Sequence, residues 1–186
     1  MEQWKETQRR EILSCPIFGV DEVKRRSEGG AVGDFYVLRA PDWATVVPVT
    51  EDAQGRRCFL MVEQYRHGSD RVTIEFPAGT VDPGEAAETC ARRELREETG
   101  YSAGELLQIG ELSPNPAFME NTSYTYVASS LVYEGEQSLD LHESMHVHMI
   151  PVDEVRRKMG HAPYENAIMV AALMLYDRWE RFREEQ

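Results

Sequence analysis

The sequence predicts a domain of mixed strand and helix, preceded by a β-rich extension. Three observations predict it. Short runs rich in β-branched and aromatic residues lie at 33–38, 43–50, 58–65 and 122–132, bounded by glycine, proline and charged turns. Two longer stretches, 83–99 and 166–184, carry their apolar residues at helical intervals. At 186 residues the chain has the length of one domain, with room for an N-terminal extension.

Taken in order, residues 8–40 read as β-rich. Ile17-Phe18-Gly19-Val20 is a short apolar run, Val23–Ser27 is charged, Glu28-Gly29-Gly30 is a turn, and Gly33–Leu38 is a strand. We divide the chain into an extension, 1–42, and a main domain, 43–186. Trp43–Thr50 (WATVVPVT) reads as a buried strand, Glu51–Arg57 as a turn around Gly55, and Cys58–Tyr65 (CFLMVEQY) as the next strand. In Asp70–Phe76, Val72, Ile74 and Phe76 alternate. After the first helix come strands at Leu106–Leu112, Thr122–Val132 and His146–Ile150, with a two-proline loop at Ser113–Asn121 and an acidic loop at Tyr133–Ser144. A helix starts at Pro151–Val155. In the last helix Ile168, Ala172, Leu175, Trp179 and Phe182 form a stripe suited to core packing.

The most informative stretch is Gly79–Tyr101, GTVDPGEAAETCARRELREETGY. Ala86, Ala87, Cys90, Ala91 and Leu95 mark Pro83–Thr99 as a helix. Asp82 is placed to cap it, with Glu85 completing a capping box, and Gly100 suits the left-handed turn past its end. Glu94, Glu97 and Glu98 fall at i, i+3 and i+4 on one helix face. Carboxylates so placed repel one another unless a cation lies among them. Arg92, Arg93 and Arg96 soften that repulsion, so a solvated face is the plain alternative. Oxygen-only ligands on a helix and a loop favour a hard ion, Mg²⁺ or Mn²⁺, over zinc.

Composition excludes several classes. Hydrophobic residues make up 41% of the chain, enough for a core, yet no apolar run is long enough to span a membrane. The N-terminus MEQWKETQRR lacks the apolar segment of a secretory signal. Cys15, Cys58 and Cys90 are scattered, without CxxC spacing, which points to reduced thiols in a cytoplasm. A net charge of −13 disfavours nucleic-acid polymers and membrane surfaces, though not small nucleotides met by a metal ion and a few arginines.

The pattern from Gly79 to Tyr101 matches GX5EX7REUXEEXGU, with U apolar, at every fixed position: Gly79, Glu85, Arg93, Glu94, Leu95, Glu97, Glu98, Gly100 and Tyr101. A chance match of its fixed identities is on the order of one in 10⁸ per starting position, which sets the solvated-face alternative aside. The sequence therefore resembles a Nudix hydrolase. The resemblance implies an α/β/α sandwich around a mixed sheet and hydrolysis of a diphosphate linked to another moiety. The run from Val62 to Glu85, with QYR and then E-x-PAG, resembles the ADP-ribose pyrophosphatase-like branch. There, N-terminal strands build a homodimer and part of the substrate site.

Site residues follow from both readings. Glu94 and Glu98, one turn apart, are the first choice as metal ligands, with Glu97 sharing or supporting the site. The resemblance adds the Ala78 carbonyl. Glu85 and Arg93 orient the loop and helix through a salt bridge, and Gly79 and Gly100 are structural. For the base that activates water, Glu97 and Glu98 compete with Glu143, the residue that the resemblance implies in the loop before Val147–Ile150. Arg66, in QYRHG, is the candidate phosphate contact, because a guanidinium forks onto two oxygens. Glu120 and Asn121 are candidates for sugar hydroxyls, and Trp43 or Phe118 for stacking on a base. His142, His146 and His148 lack a third ligand of fixed geometry and read as ordinary histidines.

The expected function is Mg²⁺- or Mn²⁺-dependent hydrolysis of a nucleoside diphosphate sugar, ADP-ribose by preference, to a nucleoside monophosphate and a sugar phosphate. Alternatives are another nucleotide sugar, of the GDP-mannose or UDP-sugar type, and a non-catalytic nucleotide sensor. The intact carboxylate set argues against the sensor. RNA-end hydrolysis is disfavoured by the acidity and the lack of a basic aromatic stripe.

Overall fold

A computed structural model describes residues 1–139 and 144–183. Among them run ten strands and three helices: β1 Trp4–Ser14, β2 Gly19–Ser27, β3 Val32–Arg39, β4 Trp43–Glu51, β5 Arg57–Arg66, β6 Arg71–Glu75, β7 Ala78–Thr80, α1 Ala87–Thr99, β8 Tyr101–Leu112, β9 Ser123–Tyr133, β10 Met145–Pro151, α2 Val152–Lys158 and α3 Ala167–Arg183. The chain divides into two compact units. One comprises Met1–Asp42 with Leu112–Thr122, and the other Trp43–Glu111 with Ser123–Gln186.

The first unit is an antiparallel sheet in the order β1-β2-β3. Every residue of β1 is exposed, so its pairing rests on the backbone ladder and on cross-strand charge. Arg10 meets Glu22, its register partner, at 2.9 Å. In β2 the inward positions include Val23 and Asp21, both buried. Buried Asp21 is matched by Arg9 at 2.8 Å and Arg39 at 3.4 Å, and their hydrogen bonds hold its carboxyl below the usual range. The outer edge of β3 is taken by the two-proline segment: Leu38 N–H donates to Phe118 O at 2.7 Å, and Glu120 N–H to Leu38 O at 3.3 Å. Sequence reading marks 8–40 as β-rich but bounds no strand within 4–14 or across 19–27, where it sees a short apolar run at 17–20 and a charged stretch at 23–27. An inward aspartate and an all-exposed edge strand erase the period-2 apolar signal.

The second unit is a mixed sheet in the order β10-β5-β4-β9-β8, with β6 paired to β5 and β7 to β4. β4 and β9 run parallel, whereas β4–β5, β5–β6 and β5–β10 are antiparallel. One sheet face packs Ala44 and Val46 of β4 and Tyr126 and Ala128 of β9 against Cys90, Ala91 and Leu95 of α1. The other face meets α3. Phe59, opposite Val49 in register, stacks edge-on against Phe76 at 5.2 Å and Tyr176 at 5.0 Å. Helices thus cover both faces of a mixed sheet, the α/β/α sandwich that the resemblance implies.

The first helix corrects the sequence reading at its start. It begins at Ala87, with Ala86 as an N-cap lacking any side-chain bond, so neither Pro83 nor the Asp82 cap belongs to it. Gly84 has φ +85°, a conformation no helix accommodates, and residues 82–85 form a turn instead. Half of the expected box survives: Asp82 N–H donates to Glu85 Oε2 at 3.1 Å. At the far end Gly100 is left-handed, φ 77°, and its N–H caps Arg96 O.

Candidate active site

The site is assembled where β7 and the turn after it meet α1. The short β7 hydrogen-bonds β4, pairing Gly79 with Ala44 and Ala78 with Thr45. This fixes the Ala78–Gly79 backbone over the helix. Glu98, nearly fully buried, accepts a hydrogen bond from Ala78 N–H at 3.0 Å through Oε2. Glu94 lies one helical turn earlier, directly against Gly79. A Cβ on Gly79 would overlap the Glu94 carboxylate, so glycine here is the cradle that admits it.

Arg93 ties the unit together. Its Nε donates to Glu85 Oε1 at 3.1 Å and its Nη2 to Glu85 Oε2 at 3.0 Å, a bidentate fork from helix to turn. Its Nη1 reaches Glu94 Oε1 at 2.7 Å and Glu97 Oε2 at 3.2 Å, and Nη2 also reaches Thr80 O at 3.2 Å. One guanidinium therefore stands among Glu85, Glu94 and Glu97 and offsets part of their repulsion. Hydrogen bonds to Glu85 foremost push the Arg93 pKa further up, and Arg93 in turn holds the Glu85 carboxyl below its ordinary range. Cys90, beneath the turn, donates to Thr80 O at 3.3 Å, and burial pushes its thiol up to about 12. It is a packed thiol, fully buried beneath the turn.

The far end of α1 is closed by the segment after β9. Ser138 N–H donates to Glu97 O at 2.9 Å, Gln137 Nε2 to Glu98 O, and Arg96 Nε to Glu134 Oε2 at 3.2 Å. Carbonyls that a helix terminus leaves without intrahelical partners are thus satisfied by this strap. No sequence signal marks Gln137, because a loop glutamine has no periodicity to betray its partner. Beside the strap is a cavity of about 670 Å³, lined by Leu60, Thr99, Tyr101, Tyr133, Gln137 and Met149 among others.

The remaining sequence candidates are placed as follows. Arg66 forks onto Glu75, Nε to Oε1 at 3.1 Å and Nη2 to Oε2 at 2.7 Å. Glu120 is bound by Arg9 at 3.1 Å within the first unit. Asn121 is buried and donates through Nδ2 to Pro41 O at 3.0 Å. Trp43 is half-buried at the start of β4, and Phe118 is exposed. His148 Nε2 lies 2.8 Å from Glu63 Oε2, and His146 is exposed. Glu143 and His142 lie outside the described residues.

Among the described residues no three His, Cys, Asp or Glu side chains are grouped for a metal ion. Arg93 and the Ala78 N–H hold the box carboxylates. The donor set nevertheless fits a hard divalent cation. Glu94, Glu97, Glu98 and the Ala78 carbonyl offer oxygen alone, and the Gly79 cradle seats Glu94 beside the backbone that carries that carbonyl.

Comparison with known proteins bears on this unit. The chain matches the NUDIX domain family over residues 41–170. It is 32% identical over 126 residues to an ADP-ribose pyrophosphatase of Bacillus subtilis (strain 168), an alignment spanning 67% of this chain and 66% of that protein. It is 27% identical over 177 residues to ADP compounds hydrolase NudE of Escherichia coli (strain K12), spanning 90% of this chain and 88% of that one. A crystal structure of an ADP compounds hydrolase shares the fold, with a TM-score of 0.83 over 97% of this chain and 96% of the other at 23% identity. The chain belongs to the NUDIX family.

Proposed function

We propose that the chain is a Nudix hydrolase that cleaves the diphosphate of a nucleoside diphosphate linked to a small molecule, ADP-ribose by preference, with Mg²⁺ or Mn²⁺ as cofactor. The observation that carries this reading is the intact set of Glu94, Glu97 and Glu98, with Glu94 and Glu98 seated against Ala78–Gly79 and Glu94 and Glu97 tied by Arg93. The names borne by the Bacillus and Escherichia relatives support an ADP-linked substrate. The thiols of Cys15, Cys58 and Cys90 are free, which accords with a reducing cytoplasm. Among the described residues no helix is long and apolar enough to cross a membrane.

Glu94, Glu97, Glu98 and the Ala78 carbonyl would hold the cation, which when bound neutralises diphosphate charge and makes water more acidic. The chain's own groups supply the rest. Glu85 and Arg93 fix the turn on the helix, so that the carboxylates present one face. Arg66, whose Nε and Nη2 fork onto Glu75, brings its positive charge to the non-bridging phosphate oxygens. Glu143, Glu97 or Glu98 accepts the proton of the attacking water. Water attacks one phosphorus, the new P–O bond forms as the bond from that same phosphorus to the bridging oxygen breaks, and the bridging oxygen leaves with the other phosphate, giving AMP and ribose 5-phosphate from ADP-ribose. Glu120 and Asn121 are proposed near the sugar, and Trp43 or Phe118 near the base.

Product analysis on a panel tests the reading: ADP-ribose, GDP-mannose, UDP-glucose, NADH, dinucleoside polyphosphates and 8-oxo-dGTP, each with Mg²⁺. AMP and ribose 5-phosphate from ADP-ribose, at the highest kcat/KM of the set, are expected. Preferred cleavage of GDP-mannose or UDP-glucose would replace the substrate and keep the chemistry. Tight binding with no turnover of any member would make the chain a sensor.

The N-terminal sheet is proposed to join two copies of the chain. Trp4, Ile12, Leu13, Val32, Phe35 and Tyr36 are large apolar side chains left exposed on it, with Phe35 and Tyr36 on opposite faces, which supports a sheet awaiting a partner. Sedimentation equilibrium should give twice the 21.3 kDa chain mass, and Ile12→Glu with Leu13→Glu should return it to the monomer. A monomeric wild type would remove the proposal.

A further inference from the structure

Glu75 is a wholly buried carboxylate outside the box, and the sequence reading gives it no role. Burying a charge is costly, and an apolar residue would fill the same space more cheaply. What surrounds Glu75 shows why it is kept charged. Arg66 Nε and Nη2 fork onto its two oxygens at 3.1 and 2.7 Å. Thr73 Oγ1, two residues back on the same strand face, donates to Oε1 at 2.6 Å. Asn166 Nδ2, just ahead of α3, donates to Oε2 at 2.8 Å. Burial pushes this carboxyl up, yet the Arg66 fork and the other donors outweigh it and hold the pKa below its ordinary value.

The location matters as much as the bonding. Arg66 closes β5, and its register partner across the hairpin is Arg71, a like charge directly opposite. The two are drawn apart by separate acids: Arg71 goes to Glu165 at 3.2 Å, and Arg66 goes to Glu75. The Arg66 side chain is still 41% exposed, so one edge of its guanidinium plane is locked in the protein while the residue reaches solvent. Glu75 stands three residues before Ala78, whose N–H meets Glu98. The residues between are pinned, Phe76 N–H by Met169 Sδ at 3.2 Å and Pro77 O by Val46 N–H at 2.9 Å. Arg66 is therefore referenced to the same rigid segment as the box carboxylates.

We propose that Glu75, braced by Thr73 and Asn166, is the positioning residue that holds the Arg66 guanidinium in place for the substrate diphosphate. The inference rests on the reading above that Arg66 meets the phosphates. An arginine on a flexible stem gives up much rotamer freedom when it binds an anion, and a buried fork removes that loss in advance. Asn166 extends the brace to α3, because its Oδ1 also accepts from Ile168 N–H at 2.9 Å.

Calorimetric titration of ADP-ribose into the full chain, held in EDTA so that no turnover occurs, tests this. Arg66→Ala is expected to weaken binding by on the order of tenfold or more. Glu75→Gln should weaken it by about tenfold, and Thr73→Val, the milder change because it keeps the Glu75 charge and the side-chain shape, by about threefold. Neither substitution should add to the loss already present in an Arg66→Ala background. A purely structural Glu75 would lower Tm and leave Kd alone, or weaken binding equally in both backgrounds; either result overturns the inference. If Arg66→Ala itself leaves Kd unchanged, the phosphate reading of Arg66 falls and the positioning role goes with it. If Arg66→Ala weakens binding while Glu75→Gln and Thr73→Val do not, only the positioning role falls.

Discussion

Glu98→Gln is expected to lower kcat on ADP-ribose with Mg²⁺ by on the order of 10³-fold, about 4 kcal/mol of barrier, while Tm stays within a few degrees. The two expectations come from different properties of one side chain, its charge and its hydrogen bonding. One hydrogen bond that Glu98 makes to the protein is accepted from Ala78 N–H by Oε2. A glutamine carbonyl oxygen accepts the same bond, so β7 stays docked on α1 and the buried side chain keeps its volume. What glutamine cannot keep is the negative charge, and a divalent cation at an all-oxygen site is held chiefly by charge. Mg²⁺ affinity, read by titration of activity against metal, should fall with kcat. A variant that keeps wild-type kcat would remove Glu98 from the metal face. A variant that loses kcat and unfolds would show Glu98 to be structural, as its burial alone would suggest.

The box was legible in the sequence because it is local. Glu94, Glu97 and Glu98 share a helix face by spacing alone, and Gly100 had to end that helix, as its φ of 77° bears out. The start of α1 was misread for an equally local reason. A capping box and a turn held by a glutamate share the Asp82–Glu85 signature, and Gly84, at φ +85°, decides for the turn. The non-local parts were out of reach. β1 has no buried residue, so no apolar rhythm announces it, and β2 hides its rhythm behind an inward Asp21 whose arginines come from β1 and β3. The membership of 112–122 in the first unit is a matter of chain path rather than of composition. Arg66 was visible as an arginine in a suggestive place. Its partner Glu75 lies nine residues away across a hairpin and is recognisable only once the register of β5 on β6 is known.

Gly79→Ala should cost on the order of 10²-fold in kcat with little loss of stability, and that separation is the sharpest test of the cradle. Gly79 is not among the glycines with positive φ, so alanine can adopt its backbone conformation. Such a replacement in permitted φ/ψ space commonly stabilises by about 0.4–1 kcal/mol through the unfolded chain. Against this, the new Cβ would overlap the Glu94 carboxylate. That group is the far end of a flexible side chain, held by Arg93, rather than backbone, so it can turn aside at modest energetic cost. Arg93 would lose the Glu94 bond yet keep Glu85 and Glu97. Stability should therefore move by about 1 kcal/mol or less. Glu94 would nonetheless stand an ångström or more from its place beside Ala78, and misplacement of that order costs about 10²-fold. Thermal melts and steady-state kinetics on the same preparation decide it. Full activity in Gly79→Ala would mean that the position of Glu94 against Gly79 is not the one used in catalysis. A fall in Tm as large as that of a core deletion would mean that Gly79 serves the fold rather than the site.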